Sequence, residues 1–295
     1  LVTTTTKKDA QLNDKSKIAL ITGATSGFGV VIAKHLVTQG YSLIVLGRSK
    51  DKLDSLILDL KKVDSNCIID PILCNLSSFM SIVHACDSIK KTYTCIDLLI
   101  LNAGVWNFKY VETEDNIEET LQVNLLSPIL IFKSLRQLIP TLGNSKVIFT
   151  SSGLHQGEIN FSDIEFKNTF SGFKSYRQSK LGLILMARLL SKKEEHTGIS
   201  FYTVHPGMVK TELGRNAGWL SKLIFKLLGK TKEKGAQTHL FLIDQSICNL
   251  TSGEYYANCR MTKASAESYN LDNANKLLNT LNKYFDTHIK DESNS

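Results

Sequence analysis

Two kinds of hydrophobic segment alternate along this chain. Short runs of consecutive apolar residues are separated by longer stretches in which apolar residues recur every three or four positions. A short continuous apolar run is typical of a strand buried on both faces, and the longer period is that of an amphipathic helix. The runs predict strands at residues 17–22, 41–46, 67–74, 97–101, 146–151 and 199–204.

The intervening segments predict helices that return the chain from one strand to the next. A glycine-rich loop after the first strand opens a helix that ends near residue 39, where Gly40 follows. Because β-α units repeat, we expect an α/β fold: a single doubly wound parallel sheet of Rossmann type, with right-handed crossovers and helices on both faces. The remaining helices are predicted at 48–63, 78–93, 113–138 (with a kink at Pro128), 175–192 and 272–285.

The domain organisation follows from the same pattern. No linker and no repeat interrupts the alternation, which predicts one domain over residues 17–285. Residues 1–16 and 286–295 are polar, and we expect both to be disordered. Within 213–230, an apolar helix is predicted with lysines on one side. It could pack into the core, or residues 218–230 could lie on a membrane surface as a peripheral contact.

Composition narrows the class of protein. The chain has 295 residues, 42% of them hydrophobic, which suits a large folded domain and excludes disorder. The 35 basic and 28 acidic side chains leave a net charge of +7, spread along the sequence. This mild excess argues against a nucleic-acid partner, and an anionic cofactor would account for part of it.

The six cysteines form no Cys-x-x-Cys pair, and several lie in apolar runs. We interpret them as reduced, buried thiols and expect a cytoplasmic location. No apolar run is long enough to span a bilayer. The chain starts at Leu1, so membrane association at the face of the endoplasmic reticulum is expected if an N-terminal anchor is missing. No metal site is predicted.

The loop TGATSGFG at residues 22–29 follows a strand and opens a helix. Glycine allows positive φ, close approach of the backbone to a pyrophosphate, and tight helix–strand contact. The helix N-terminus then directs free N–H groups at the phosphates. The context therefore predicts a dinucleotide site.

The end of the second strand bears on the choice of cofactor. An acidic residue there would bind the ribose 2′-hydroxyl of NAD, but this chain has GRSK at residues 47–50. Arg48 can clamp a 2′-phosphate, which predicts NADP(H). The alternative is that Arg48 merely caps the strand.

Proton-transfer chemistry is indicated by YRQSK at residues 176–180. Tyr176 and Lys180 share one face of a predicted helix, and a nearby ammonium lowers the pKa of a phenol. Ser152 ends the fifth strand, where sheets of this kind place their sites, and Ser151 is its rival. Asn124 is a poor helix former inside a predicted helix. It could hold a water that relays protons to Lys180, or it could be an exposed or locally bonded asparagine.

A serine hydrolase is the competing chemistry. It would require Ser152 in a Gly-x-Ser-x-Gly frame and a partnered histidine. Ser152 lacks that frame, His155 is not placed by any motif, and His205 precedes Pro206 in what we interpret as a structural role.

Together with NAG at residues 102–104 and HPGMVKTEL at 205–213, these motifs resemble the short-chain dehydrogenase/reductase family over about residues 17–285. Within it, residues 253–266 and the long segment between Ser152 and Tyr176 are most similar to the retinol dehydrogenase and WW-domain oxidoreductase branch. The resemblance implies Tyr176 as general acid and base, with Asn124, Ser152 and Lys180 completing the catalytic set. The cofactor contacts it implies are Gly23, Ser26, Gly27, Phe28, Gly29, Arg48, Asn75, Leu76, Asn102, Gly104, Tyr176, Lys180 and Thr211.

The resemblance also implies a substrate class. The segment at 213–230 would cover the substrate pocket, and its Trp219 and Phe225 suit a retinoid, a steroid or a xenobiotic carbonyl. The helix that carries Tyr176 would form a homodimer face. Where relatives have Asp, this chain has Asn75, whose amide oxygen can still accept a hydrogen bond from adenine. A second hypothesis is a cofactor-bound interaction or regulatory protein with little catalysis.

Overall fold

The computed structural model describes residues 17–141, 144–207 and 231–289. These residues build one eight-stranded sheet in the order β3-β2-β1-β4-β5-β6-β7-β8. All neighbouring pairs are parallel except β7 and β8, which are antiparallel. The predicted fold class is therefore confirmed. The strands are β1 Ile18–Thr22, β2 Ser42–Gly47, β3 Ile69–Leu73, β4 Leu98–Leu101, β5 Ser145–Thr150, β6 Ile199–His205, β7 Tyr255–Ala257 and β8 Arg260–Met261.

Helices cover both faces of the sheet, and a separate apolar cluster fills each interface. One cluster joins the sheet to α3, α5, α6 and α8, and the other joins it to α1, α2 and α7. This double coverage explains why the central strands are apolar throughout. The helices are α1 Gly27–Thr38, α2 Lys50–Lys61, α3 Phe79–Thr92, α4 Glu119–Leu121, α5 Ser127–Leu135, α6 Gly172–Lys193, α7 Lys232–Asp244 and α8 Leu271–Ile289.

The long helix predicted at 113–138 needs correction. Helical backbone begins only at Glu119, since residues 113–118 form a turn in which Asn116 has a left-handed φ of 57°. A π-helical turn at Gln122–Leu126 then separates α4 from α5. Pro128 is the second residue of α5, directly after the π-helical turn.

Two further differences concern the C-terminal part of the chain. Helix α7 and strands β7 and β8 were not predicted, because their apolar residues follow neither period over a long enough stretch. Helix α8 continues to Ile289, beyond the predicted end at 285. The reason is packing: the ring of His288 lies 5.6 Å from that of Phe79.

The order of the strands in the sheet determines where a ligand site can form. From β1 the chain crosses to β2 on one side, and β4 lies against the other side of β1. A ligand crevice forms at such a reversal, beyond the carboxyl ends of the strands. The glycine loop follows β1 and the NAG motif follows β4, so both open into this crevice.

Candidate active site

A cleft of about 490 Å³ opens at the carboxyl ends of β1, β2 and β4. Of the thirteen predicted cofactor contacts, ten line it: Gly23, Ser26, Gly27, Phe28, Gly29, Arg48, Asn75, Leu76, Asn102 and Gly104. Thr211, like the predicted helix at 213–230, lies outside the described residues.

Backbone atoms pack closely against one another in the glycine loop. Gly23 and Gly27 have φ of 69° and 58°, a left-handed conformation that favours glycine. A Cβ atom on Gly29 would lie 2.1 Å from the carbonyl oxygen of Gly23, so no side chain fits there. The first turn of α1 starts after Ser26, whose side chain makes no capping hydrogen bond. The N–H groups of this turn, at the edge of the cleft, are therefore suited to bind an anionic ligand.

Asn102 ties the loop to the sheet. Its side-chain amide donates to the carbonyl oxygens of Thr22 and Gly23, each at 3.2 Å, and its backbone N–H donates to the Thr22 hydroxyl at 3.0 Å. From the neighbouring strand, Thr150 donates to the Asn102 amide oxygen at 3.2 Å. Asn102 thus fixes the ends of β1, β4 and β5 relative to one another.

At the far end of the cleft lie the residues that follow β2. Arg48 is exposed, and Lys52 projects into the same region one helical turn later. Ser49 caps α2 by accepting from the backbone N–H of Lys52 at 3.4 Å. In the part of the chain that the structure describes, Arg48 and Lys52 have no ion-pair partner. The sequence reasoning missed Lys52, although its position at the start of a helix after β2 is a usable signal.

Asn75 and Leu76 follow β3 and line the rim of the cleft next to the end of β2. The amide oxygen of Asn75 accepts from the backbone N–H of Ser77 at 3.2 Å, which leaves one lone pair for a ligand. The carbonyl oxygen of Leu76 accepts from the hydroxyl of Ser127 at 2.6 Å, which anchors this rim to α5.

Tyr176, Lys180 and Ser152 meet beside the cleft. Tyr176 and Lys180 lie one turn apart on α6, with the Lys180 Nζ 5.7 Å from the centre of the Tyr176 ring. The Ser152 side chain lies near the Tyr176 hydroxyl and favours its ionised form. The Lys180 ammonium donates to the carbonyl oxygen of Thr150 at 2.8 Å, which fixes it under the end of β5.

Burial shifts the two titrating groups in opposite directions. It raises the pKa of Tyr176 to about 12, although the nearby Ser152 hydroxyl opposes this shift. It lowers the pKa of Lys180 to about 7. Both shifts have the same cause, since a buried site disfavours the charged form of either group. A negative charge close to Lys180 or a positive charge close to Tyr176 would reverse them.

The structure separates Ser152 from its rival. The hydroxyl of Ser151 donates to the carbonyl oxygen of Lys180 at 2.9 Å, so Ser151 supports the backbone of α6. The hydroxyl oxygen of Ser152 accepts from the N–H of Leu154 at 3.1 Å, which leaves its hydrogen available to Tyr176 or a substrate.

Asn124 lies in the π-helical turn and is buried. Its amide oxygen accepts from the N–H of Val105 at 2.8 Å. Its amide nitrogen donates to the carbonyl oxygen of Val105 at 2.9 Å and to Ser179 at 3.1 Å. The locally bonded alternative therefore describes these contacts, and the predicted water relay to Lys180 stays a prediction. π-Helical turns occur frequently at functional sites.

Gly104 forms bare backbone between the cleft and these side chains. A Cβ atom there would lie 3.2 Å from the Asn124 amide oxygen and 3.3 Å from the Lys180 Nζ. Because Gly104 has no side chain, a flat ring in the cleft can approach Lys180 and Tyr176 closely. The glycine loop and the bare backbone at Gly104 thus suit the cleft to a nicotinamide dinucleotide.

Trp106 is a site residue that the sequence reasoning missed. It lines the cleft, and its indole stacks on the Tyr176 ring at a centroid distance of 4.5 Å. Phe108 and Phe173 flank it at 5.2 and 6.3 Å, and both are exposed, at 40% and 46%. These three aromatic residues, with Tyr176, form what we call the aromatic wall. The signal in the sequence that could have identified Trp106 as a site residue is its position two residues after the NAG motif.

A Rossmann-type cleft beside a buried tyrosine, lysine and serine defines the class of nicotinamide-dependent oxidoreductases. The chain belongs to the short-chain dehydrogenase family, whose model matches residues 17–218. The predicted family is thereby confirmed. No group of three or more potential metal ligands occurs among the described residues, and none of the described helices is long and apolar enough to cross a membrane.

Similarity to known proteins supports the same branch. The chain is 30% identical to retinol dehydrogenase 14 of Mus musculus over 85% of its own length and 82% of that protein. It is 31% identical to retinol dehydrogenase 12 of Homo sapiens (89% and 84% covered) and 30% identical to human polyprenol dehydrogenase (86% and 80%). An uncharacterized protein from Mycobacterium paratuberculosis shares the fold, with a TM-score of 0.74 at 21% identity over 92% of this chain and 97% of that one.

Proposed function

We propose that this protein is an NADP(H)-dependent oxidoreductase that transfers a hydride between the nicotinamide and a lipophilic alcohol or carbonyl compound. Its substrates would be retinoids, steroids or xenobiotic carbonyls, as for a carbonyl reductase or an enzyme of steroid metabolism. The observation that carries the proposal is the position of Tyr176, which lies near Ser152, one turn from Lys180, and against Trp106 of the cleft.

When bound, the nicotinamide supplies or accepts the hydride. The chain supplies the proton. In reduction, the Tyr176 hydroxyl donates its proton to the carbonyl oxygen as that oxygen gains negative charge, and in oxidation the phenolate takes the proton back. The Ser152 hydroxyl orients the same oxygen by a hydrogen bond. Lys180 would hold the nicotinamide ribose, and its ammonium form would stabilise the phenolate.

The choice of NADP(H) rests on charge at the end of β2. Arg48 and Lys52 both line the cleft there, and residues 47–50 contain no carboxylate that would repel a 2′-phosphate. A guanidinium binds a phosphate through parallel hydrogen bonds, and an ammonium adds charge.

The lipophilic substrate class is supported by the aromatic wall. Trp106 presents a flat apolar surface beside Tyr176, and the exposed rings of Phe108 and Phe173 extend it outward. Such rings contribute large apolar contact area. The names of the curated relatives, retinol and polyprenol dehydrogenases, denote alcohols of the same apolar kind.

Location and assembly are further parts of the proposal. All six cysteines are free thiols, which supports a reducing compartment such as the cytoplasm, including the cytoplasmic face of the endoplasmic reticulum. A homodimer through α6 stays a prediction. The predicted membrane contact at 218–230 lies outside the described residues.

The test is a fluorescence titration with NADPH and NADH, followed by turnover assays on retinoid, steroid and aromatic carbonyls. We expect tighter NADPH binding and turnover that Tyr176→Phe lowers by at least about 100-fold. Tyr41→Phe is the matched control, because Tyr41 precedes β2 at the opposite end of the sheet. Tight cofactor binding with no turnover of any carbonyl would instead favour the interaction-protein hypothesis.

A further inference from the structure

The backbone of the loop that carries Ser152 is held by three side chains. The carbonyl oxygen of Ser152 accepts two hydrogen bonds, from His155 Nδ1 at 2.7 Å and from the hydroxyl of Tyr255 at 3.2 Å. The next residue, Gly153, donates its N–H to His205 Nδ1 at 2.9 Å. These contacts come from the loop itself, from β7 and from the end of β6.

The hydrogen bonds determine the tautomer of His155. The backbone N–H of Ser265 donates to His155 Nε2 at 3.0 Å, so this nitrogen carries no proton. The neutral ring must then carry its proton on Nδ1, where it donates to the Ser152 carbonyl oxygen, which can only accept. His155 is buried, and its ring lies 4.8 Å from that of Tyr255.

Hydrogen bonds therefore hold the backbone carbonyl group of Ser152, while its hydroxyl lies on the side of Tyr176. The hydroxyl oxygen accepts from Leu154 N–H within the same loop, and the Ser152 side chain lies near the Tyr176 hydroxyl. A shift of the carbonyl group would move the hydroxyl, since both belong to one residue.

We propose that His155, together with Tyr255, is a positioning residue that fixes Ser152 for proton transfer at Tyr176. This inference rests on the proposed oxidoreductase function. A misplacement of about 1 Å at a reacting group can lower a rate by about 100-fold. By fixing the backbone of Ser152, His155 and Tyr255 therefore affect the reaction rate without contacting the substrate.

The arrangement has a pH dependence with a defined sign. Burial and the positive charge of Arg177 hold the pKa of His155 below its usual range, against the opposing hydrogen bond to Ser152. Protonation would place an Nε2–H against the Ser265 N–H and break that contact. The other titratable groups around the loop are Tyr255, whose pKa burial raises, and His205. Activity should therefore fall as the pH drops below the pKa of His155.

The test compares His155→Asn with His155→Leu. An asparagine amide nitrogen takes roughly the place of Nδ1 and keeps the donor to Ser152, whereas leucine fills the volume and removes it. We expect His155→Leu to lower kcat by about 10- to 100-fold with KM for NADPH unchanged, and His155→Asn to recover most of the loss. The acid limb of the pH–kcat profile should disappear in His155→Asn. His84→Asn and His84→Leu, at an exposed position on α3, are the matched controls.

A second measurement does not depend on turnover. Hydrogen exchange of the peptide spanning residues 152–155 reports on the N–H groups of Gly153 and Leu154, and ¹⁵N spectra of the imidazoles report the tautomer. Faster exchange in His155→Leu than in His155→Asn, with an Nδ1–H ring in the wild type, supports the positioning role even if no carbonyl is turned over. Tyr255→Phe, which removes one donor and keeps the ring, provides the test if His155→Leu does not fold.

An Nε2–H tautomer would overturn the proposal. So would kcat within twofold of wild type in both His155→Leu and Tyr255→Phe, or equal kcat losses in His155→Asn and His155→Leu.

Discussion

The indole of Trp106 lies nearly parallel to the phenol ring of Tyr176, with their centroids 4.5 Å apart and their planes inclined by 15°. The Trp106 Nε1–H donates to the carbonyl oxygen of Gly172 at 3.0 Å, at the start of the helix that carries Tyr176. The indole is thus fixed at both its face and its edge, and it excludes water from one side of the tyrosine.

Replacement of Trp106 should change substrate selection more than cofactor binding. Since a stacked aromatic pair is worth about 0.5–1.5 kcal/mol beyond its buried area, we expect Trp106→Ala to raise KM for large apolar carbonyls by about 3- to 10-fold. Trp106→Phe should retain most of the affinity. The measurement is KM over a series of aldehydes of increasing size, and an equal rise for the smallest member would contradict the aromatic-wall assignment.

Fluorescence gives an independent view of the same contact. The chain has two tryptophans, so Trp219→Phe leaves Trp106 as the only one. NADPH should quench this emission strongly by energy transfer, because Trp106 lines the cleft. Emission unchanged by saturating NADPH would place the nicotinamide elsewhere.

The buried Lys180 should make stability depend on pH. Its pKa falls from 10.5 to about 7 on folding, so the folded state binds fewer protons than the unfolded state between these values. Stability from this group is therefore present above pH 10.5 and is lost as the pH falls through 7. We expect Lys180→Met without cofactor to gain Tm relative to wild type, by a few degrees at pH 6, with the gain shrinking toward pH 10.

The slope of this Tm difference with pH is the readout, because loss of the hydrogen bond to Thr150 lowers Tm at every pH. Thermal melts from pH 6 to 10 measure it, with the exposed Lys52→Met as control. A Tm difference that does not vary with pH would show that Lys180 is not desolvated in the folded protein.

Charge reversal at the end of β2 should alter the preference between the two cofactors. We expect Arg48→Asp to raise the Kd for NADPH by at least about 10-fold, since a charge-assisted hydrogen bond is worth about 1.5–3 kcal/mol, while the Kd for NADH changes little. Lys52→Asp should act in the same direction with a smaller effect. Lys91→Asp, on the exposed surface of α3, carries the same charge change away from the cleft.

Both Kd values are measured by nicotinamide fluorescence at fixed ionic strength. If Arg48→Asp raised the Kd values for NADPH and NADH by the same factor, Arg48 would not bind the 2′-phosphate.

Asn124 should matter for stability as well as for catalysis. In Asn124→Ala, the N–H and carbonyl oxygen of Val105 lose their side-chain partners inside the protein. A buried group without a partner costs about 1–3 kcal/mol, so Tm should fall by several degrees. Asn66→Ala, at an exposed position, is the control. Reduced kcat with an unchanged Tm would instead favour a role limited to the proton relay.

The sequence by itself determined the alternation of elements and the order of motifs. Short apolar runs such as LLIL at Leu98–Leu101, repeated between helical segments, predict strands covered on both faces. A glycine loop between such a strand and a helix then implies a dinucleotide cleft. The spacing of Tyr176 and Lys180 was sufficient to predict that both side chains lie on one face of a helix.

Only the tertiary structure decided which neighbouring residue does what. Ser151 and Ser152 are adjacent and identical in kind, and the end of β5 turns one toward the backbone of α6 and the other toward Tyr176. Asn116 breaks a helix that periodicity predicts, because its left-handed backbone cannot continue one. Trp106 and His155 contact residues 70 and 110 positions away in the chain, Tyr176 and Ser265 respectively. Contacts of that range depend on how the sheet brings distant loops together, which no local pattern encodes.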